Sequence, residues 1–209
     1  MTTEFILLRH GETEWNAQER LQGHLNSTLS LGGLRQADAL AARLATVRFQ
    51  ALYSSDLGRA VQTASCIAAT TGHALQQDVR LRERGLGILE GLTRTEARLR
   101  HPEVFSHYAA GGPDFVIPEG ESTSQRLRLA VACLEELAGR HPGERVVVVT
   151  HGGLLSSLFR HCLGIPPATP RAFAVLNASW NRFDFEAGGF RLVSWGDVSH
   201  LRDLSRDDT

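Results

Sequence analysis

The unbroken run Val146-Val147-Val148-Val149-Thr150, which feeds directly into His151-Gly152-Gly153, constrains the fold of this chain more than any other segment. Successive side chains of a strand point to opposite faces, so a strand with one wet face alternates apolar and polar residues. A continuous valine strand has no wet face. It belongs inside a sheet covered on both sides by helices, the setting of parallel strands joined by crossovers. A helical pattern from Leu154 to Leu163, closed by Gly164 and Pro166, follows the strand at once. The expected fold is α/β in three α/β/α layers, with a mostly parallel central sheet.

The remaining segments fit that scheme. Phe5-Ile6-Leu7-Leu8 reads as a first strand, and Leu34, Ala37, Leu40, Ala41 and Leu44 share one helical face after Ser30-Leu31-Gly32-Gly33. Ala51 to Ser54 is a short strand, followed by a helix from Ala60 to about Thr70 with Gly72 as its stop. A further short strand is expected at Ala74 to Gln76, whereas Arg80 to Gly87 is too charged and glycine-rich for a regular element. Ser122 and Gln125 form a capping-box start for a helix to about Gly139, with Leu127, Val131, Leu134 and Leu137 apolar. Trp180 to Phe185 and Phe190 to Trp195 read as a hairpin that adds an antiparallel edge strand. Between these, Leu92 to Ile117 holds a short helix ending near His101-Pro102 and then an irregular stretch. Residues 92–121 are taken as a lid-like insertion over the site, within a single domain spanning 1–209. The charged end after Leu201 reads as frayed.

Composition narrows the function. With 209 residues and a formal net charge of −1, the chain offers no general attraction to nucleic acid or to an anionic membrane. No apolar run approaches a membrane span, and the start lacks the sections of a signal peptide, so the chain is expected in the cytoplasm. Cys66, Cys133 and Cys162 sit far apart in helical patterns and read as buried thiols. All 22 basic residues are arginine, which excludes a lysine-bearing P-loop and every Schiff-base mechanism. The nine histidines show no metal-binding spacing, and no Gly-x-Ser-x-Gly elbow occurs.

What remains is local. Leu8-Arg9-His10-Gly11 and Thr150-His151-Gly152 each place a histidine backed by glycine at the end of a strand, which is where open α/β sheets carry their sites. A lone histidine is more often structural; two in matching positions point to chemistry. Arg9 and Arg59 follow strands, and a guanidinium suits bidentate capture of phosphate. His10 is then placed to attack phosphorus, and Glu83, in its glycine-flanked loop, to protonate a departing alkoxide.

These residues resemble the histidine phosphatase superfamily, in its phosphoglycerate mutase-like branch. Leu8-Arg9-His10-Gly11-Glu12-Thr13-Glu14-Trp15-Asn16 is similar to the first family motif, and Ser54 to Ala64 around Arg59 to the second. Leu81-Arg82-Glu83 with Gly87-Ile88-Leu89-Glu90-Gly91 resembles the third, and Thr150-His151-Gly152-Gly153 the fourth. Pro118 to Ser122 and Gly196 to Leu201 extend the likeness over nearly the whole chain. One departure is Asn26-Ser27-Thr28, where many relatives carry an aspartate and a proline.

The resemblance implies a phosphatase acting on small phosphomonoesters. His10 would become a transient phosphohistidine, with Arg9, Arg59 and His151 completing a cationic pocket and Glu83 as proton donor. Asn16, Gln22, Gly23 and Gly152 would line the substrate site. It implies no metal and no cofactor, since fixed arginines and histidines neutralise the transferring group. A small-molecule substrate is the expected partner, and a homodimer is left open. The alternative is a phosphoglycerate mutase, although the lysine-bearing basic insertion of efficient mutases is missing and Arg94, Arg98, Arg100, His101 and His107 stand in that region. A phosphate-binding module without turnover fits less well, because nucleophile, arginines and acid are all present.

Overall fold

A computed structural model describes residues 1–166 and 169–202. Its strands are β1 (Thr3–Arg9), β2 (Ala51–Ser54), β3 (Leu75–Gln77), β4 (Arg145–Thr150), β5 (Trp180–Glu186) and β6 (Gly189–Asp197). The helices are α1 (Glu14–Ala17), α2 (Leu31–Leu44), α3 (Gly58–Thr71), α4 (Arg94–Arg100), α5 (Pro102–Ala110), α6 (Thr123–Arg140) and α7 (Gly152–Cys162). The six strands lie in the order β3-β2-β4-β1-β5-β6. The first four are parallel, β5 runs antiparallel to β1, and β6 pairs antiparallel with β5. The antiparallel edge is thus a hairpin whose inner strand, β5, is the reversed one.

Alternation along the central strands divides the core into two layers. Val146 and Val148 pack with Phe5, Leu7 and Tyr53 against Leu134 and Leu137 of α6 and Leu155 and Leu158 of α7. Val147 and Val149 pack with Ile6, Leu8 and Leu52 against Leu40 and Leu44 of α2 and Ala60, Ala64 and Ile67 of α3. Each of the four valines is fully buried, which favours folding by about 1.5–3 kcal/mol per side chain.

Helix ends follow the expected chemistry, with some shifts. Ser30 Oγ accepts the Gly33 N–H at 3.0 Å, and Gly72 closes α3 in the left-handed region at φ 75°. Ser122 and Gln125 form the capping box of α6. The expected apolar position Leu34 is 42% exposed, because Gly33 takes the buried slot where α2 meets the backbone of Glu12. Helix α7 begins at Gly152, earlier than Leu154, so His151 is its N-cap residue. Arg9 ends β1 and Arg59 lies inside α3, where both were expected in loops. Among the cysteines only Cys133 is buried; Cys66 and Cys162 are half-buried, and all three are free thiols.

The segment after Leu92 is more regular than its sequence suggests. Pro102 opens a second helix, α5, because proline is tolerated at a first helical position, where its missing N–H costs nothing. Ala97 of α4 and Phe105 of α5, with Ile117 from the loop that follows, build a third core against Leu21, Leu86 and Leu89. The charged end beyond Arg202 lies outside the described residues.

Candidate active site

Strand register brings the site together. β1 and β4 pair so that Arg9 stands beside Thr150, and the N–H of His10 donates to the Thr150 carbonyl at 3.0 Å. His10 and His151 therefore leave adjacent strand ends in step, with ring centroids 5.2 Å apart and planes tilted by 57°. Strand β2, on the other side of β4, delivers Arg59 through the start of α3. The three side chains are almost wholly enclosed, at 3% exposure for His10, 0% for His151 and 1% for Arg59.

The tautomer of His10 is set by its neighbour. Nδ1 lies 2.7 Å from the carbonyl oxygen of Gly11, and a carbonyl only accepts, so Nδ1 carries the proton and Nε2 the lone pair. Burial, followed by the charges of Arg59 and Arg9, pushes the His10 pKa well below 6.5. His151 is shifted the same way by burial, Arg59, His10 and Arg9, and neither of its ring nitrogens has a protein partner. Both imidazoles are neutral at physiological pH.

The arginines are braced by backbone carbonyls. Arg9 Nη1 donates to Val175 O at 2.5 Å. Arg59 donates from Nη1 to Leu25 O at 2.9 Å and from Nη2 to Gly23 O at 2.8 Å. The Nε of each is buried without a protein acceptor. Burial draws both pKa values down to about 10, against the opposing charge of Glu83, and both arginines keep their charge at neutral pH.

Glu83 lies at the opening of α7. Its Oε2 accepts the Gly153 N–H at 2.8 Å and its Oε1 the Arg84 N–H at 2.9 Å. Gly153 belongs to the first turn of an eleven-residue helix, which fixes the N–H that Glu83 meets. The glycine pair leaves room for the site's side chains: a Cβ on Gly153 would overlap Oε1 of Glu83, and one on Gly152 would stand 3.1 Å from Arg9 Nε.

Asn16 and Gln22 converge on Thr13. Asn16 Oδ1 takes the Thr13 N–H at 3.2 Å, the Thr13 hydroxyl at 3.1 Å and the Asn177 amide at 3.2 Å. With its oxygen so occupied, Asn16 has its amide nitrogen left to donate. Gln22 Nε2 donates to Thr13 Oγ1 at 2.8 Å, and Gly23 sits at φ 53° beneath the carboxylate of Glu90. Glu90 itself is occupied by the N–H groups of His24, Leu25 and Leu86, and Glu96 by Thr93 and Arg20.

Several supporting residues were not singled out from the sequence. Asn177 donates to the His10 carbonyl at 3.1 Å. Thr63 Oγ1 accepts the Gly11 N–H at 3.0 Å and donates to Arg59 O at 2.9 Å, tying nucleophile loop to arginine. Asn26, named from the sequence only as a departure from the family pattern and given no role there, accepts the Arg59 N–H at 3.0 Å and so caps α3, whose N-cap residue Leu57 makes no side-chain bond. Of these, only Thr63 had a sequence signal, since it lies four residues after Arg59 on the same helical face.

Two charged guanidiniums, two neutral imidazoles and unpaired donors in one buried place suit a multiply charged anion. Among the described residues no three His, Cys, Asp or Glu side chains gather to hold a metal ion. No helix among them is long and apolar enough to cross a membrane.

The chain is similar to known proteins over most of its length. A metal-independent phosphoserine phosphatase of Arabidopsis thaliana is 44% identical over 202 residues, covering 95% of this chain and 83% of its own. Phosphoglycerate mutase-like protein 4 of the same plant is 39% identical over 204 residues, covering 96% and 87%. The solved structure of Bacillus stearothermophilus YhfR superposes with a TM-score of 0.90 at 33% identity, covering 96% of this chain and all (100%) of that one. Residues 5–198 match the family profile of the histidine phosphatase superfamily, branch 1, and the chain belongs to that family.

Proposed function

We propose that this protein hydrolyses small phosphomonoesters through a phosphohistidine on His10. The observation that carries the reading is the 2.7 Å contact between His10 Nδ1 and the Gly11 carbonyl, which puts the proton on Nδ1 and leaves the lone pair on Nε2, with Arg9, Arg59 and His151 nearby holding unpaired nitrogens. In the first step Nε2 attacks phosphorus and the P–O bond to the leaving group breaks. Glu83, entering as the carboxylic acid, gives that oxygen its proton. In the second step Glu83 takes a proton from water, the water oxygen attacks phosphorus, and the P–N bond breaks to release inorganic phosphate and free His10. Arg9, Arg59, His151 and the Asn16 amide hold the equatorial oxygens, where the charge of the transition state lies. Gln22, Gly23 and Gly152 line the same pocket. Residues 92–121 cover the leaving-group side.

Phosphoserine, named in the relative of highest identity quoted above, is the first substrate to test. Release of inorganic phosphate, with a label on His10 that acid removes and base does not, is the expected result. Absence of both with a panel of phosphomonoesters overturns the reading. A second reading, phosphoryl transfer between hydroxyls of phosphoglycerate, draws on the mutase-like relative. It requires the phosphoenzyme to be shielded from water. Isomerised phosphoglycerate without free phosphate, in the same assay, selects it.

A further inference from the structure

The geometry points to His24 as a positioning residue that holds the Glu83 backbone where its carboxyl reaches the leaving group. The inference rests on the acid role given to Glu83 above. Glu83 stands in an irregular loop between two short turns, Val79–Leu81 and Gly87–Leu89, so no helix or strand ladder fixes its main chain. The ring of His24 does so from outside: Nε2 donates to the Glu83 carbonyl oxygen at 2.8 Å. An accepting carbonyl requires the proton on that nitrogen.

The ring is itself held on two sides. The His24 N–H donates to Glu90 Oε1 at 2.8 Å, fixing the main chain from which the ring projects. The ring lies against Gly85, where a Cβ would meet ring carbon Cε1 at 3.4 Å and Glu121 Cγ at 3.5 Å, both ordinary van der Waals contacts. Glu121 Oε2 takes the Gly85 N–H at 2.9 Å and lies 3.7 Å from His24 Nε2. His24 also sits between Gly23 and Leu25, whose carbonyls receive the Arg59 guanidinium. One three-residue stretch therefore spans the phosphate clamp and the acid, and the histidine at its centre sets their separation. Proton transfer demands such a setting, because a misplacement of about 1 Å can cost about a hundredfold in rate.

The test separates this role from simple support of the fold. His24→Leu removes the donor, and His24→Gln restores an N–H close to the Nε2 position. With phosphoserine, His24→Leu is expected to lose about ten- to a hundredfold in kcat/KM, which reports the phosphorylation step and not the later attack of water, with His24→Gln recovering most of the loss. With nitrophenyl phosphate, whose leaving group needs no proton, both variants keep a kcat/KM close to the parent. Equal losses of kcat/KM on the two substrates would assign His24 to the Arg59 clamp or to the fold, and an unchanged kcat/KM on phosphoserine would remove it from the site; either overturns the inference. Glu83→Gln run alongside keeps the two readings apart: if that variant is not selective for the alkyl ester, the acid assignment itself has failed.

Discussion

The Oε1 of Glu83 occupies the space that a side chain on Gly153 would need, while Oε2 of the same carboxylate takes the Gly153 N–H at 2.8 Å. The overlapping atom is the end of a flexible side chain, so a methyl group there displaces the acid before it disturbs the helix. Gly153→Ala should therefore fold normally, helped by the better helix propensity of alanine, about 1 kcal/mol. Its kcat/KM should fall about tenfold or more on alkyl phosphates and little on nitrophenyl phosphate. Unaltered turnover of phosphoserine in a folded Gly153→Ala protein would mean that the seat of Glu83 does not matter.

Glu83→Gln gives the direct version of the same measurement. Loss of the proton donor should lower kcat/KM, which reports the phosphorylation step, by about 10² to 10⁴ for phosphoserine and far less for nitrophenyl phosphate. Glu90 and Glu96 are already engaged with backbone N–H groups and Arg20, so Glu90→Gln should show up as lowered thermal stability more than as substrate-dependent loss.

His10→Ala should reduce phosphatase activity by several orders of magnitude, because nucleophile and partners act as a unit. The variant should leave no acid-labile label on the protein after incubation with substrate. Near-parental turnover would sink the covalent mechanism.

Stability should fall as the solution is acidified through 6.5. The folded-state pKa values of His10 and His151 lie well below the ordinary 6.5, so the unfolded chain binds their protons first as pH drops. Their contribution is complete above 6.5 and is lost below it at about 1.4 kcal/mol per pH unit for each histidine. His200, drawn down to about 4 by burial and then Arg43, adds a smaller share between 6.5 and 4. Urea unfolding above and below 6.5 measures the slope. His10→Gln should make it shallower, and an identical slope in that variant would contradict the shift.

Activity should withstand EDTA, since Arg9 and Arg59 already hold positive charge at the pocket. Loss on chelation with recovery on adding Mg²⁺ or Zn²⁺ would show another centre at work.

Legibility of the sequence followed the range of the interactions. Arg9, His10 and His151 could be placed from residues alone because strand ends are set by local pattern, and β1–β4 pairing then brings two of them face to face. The two-faced burial of Val146 to Val149 was legible for the same reason. Helix α5 was not, since Pro102 reads as a stop until it is recognised as a first helical residue. Leu34 was misplaced because Gly33 mattered more to the packing of α2 than a leucine did. Asn177 and His24 act through contacts made 167 and 59 residues away in the chain. No periodicity encodes such contacts.

The unpaired Nε atoms of Arg9 and Arg59 and the bare ring of His151 have a consequence for the enzyme's own kinetics. In the proposed mechanism these donors hold the phosphoryl group and not the leaving group, so they would hold free phosphate as well. The last product to depart should therefore also be a competitive inhibitor, and its escape is a candidate for the slow step. Cells rich in inorganic phosphate would run this protein more slowly but keep it more stable, since a ligand held only by the native state shifts the balance toward it.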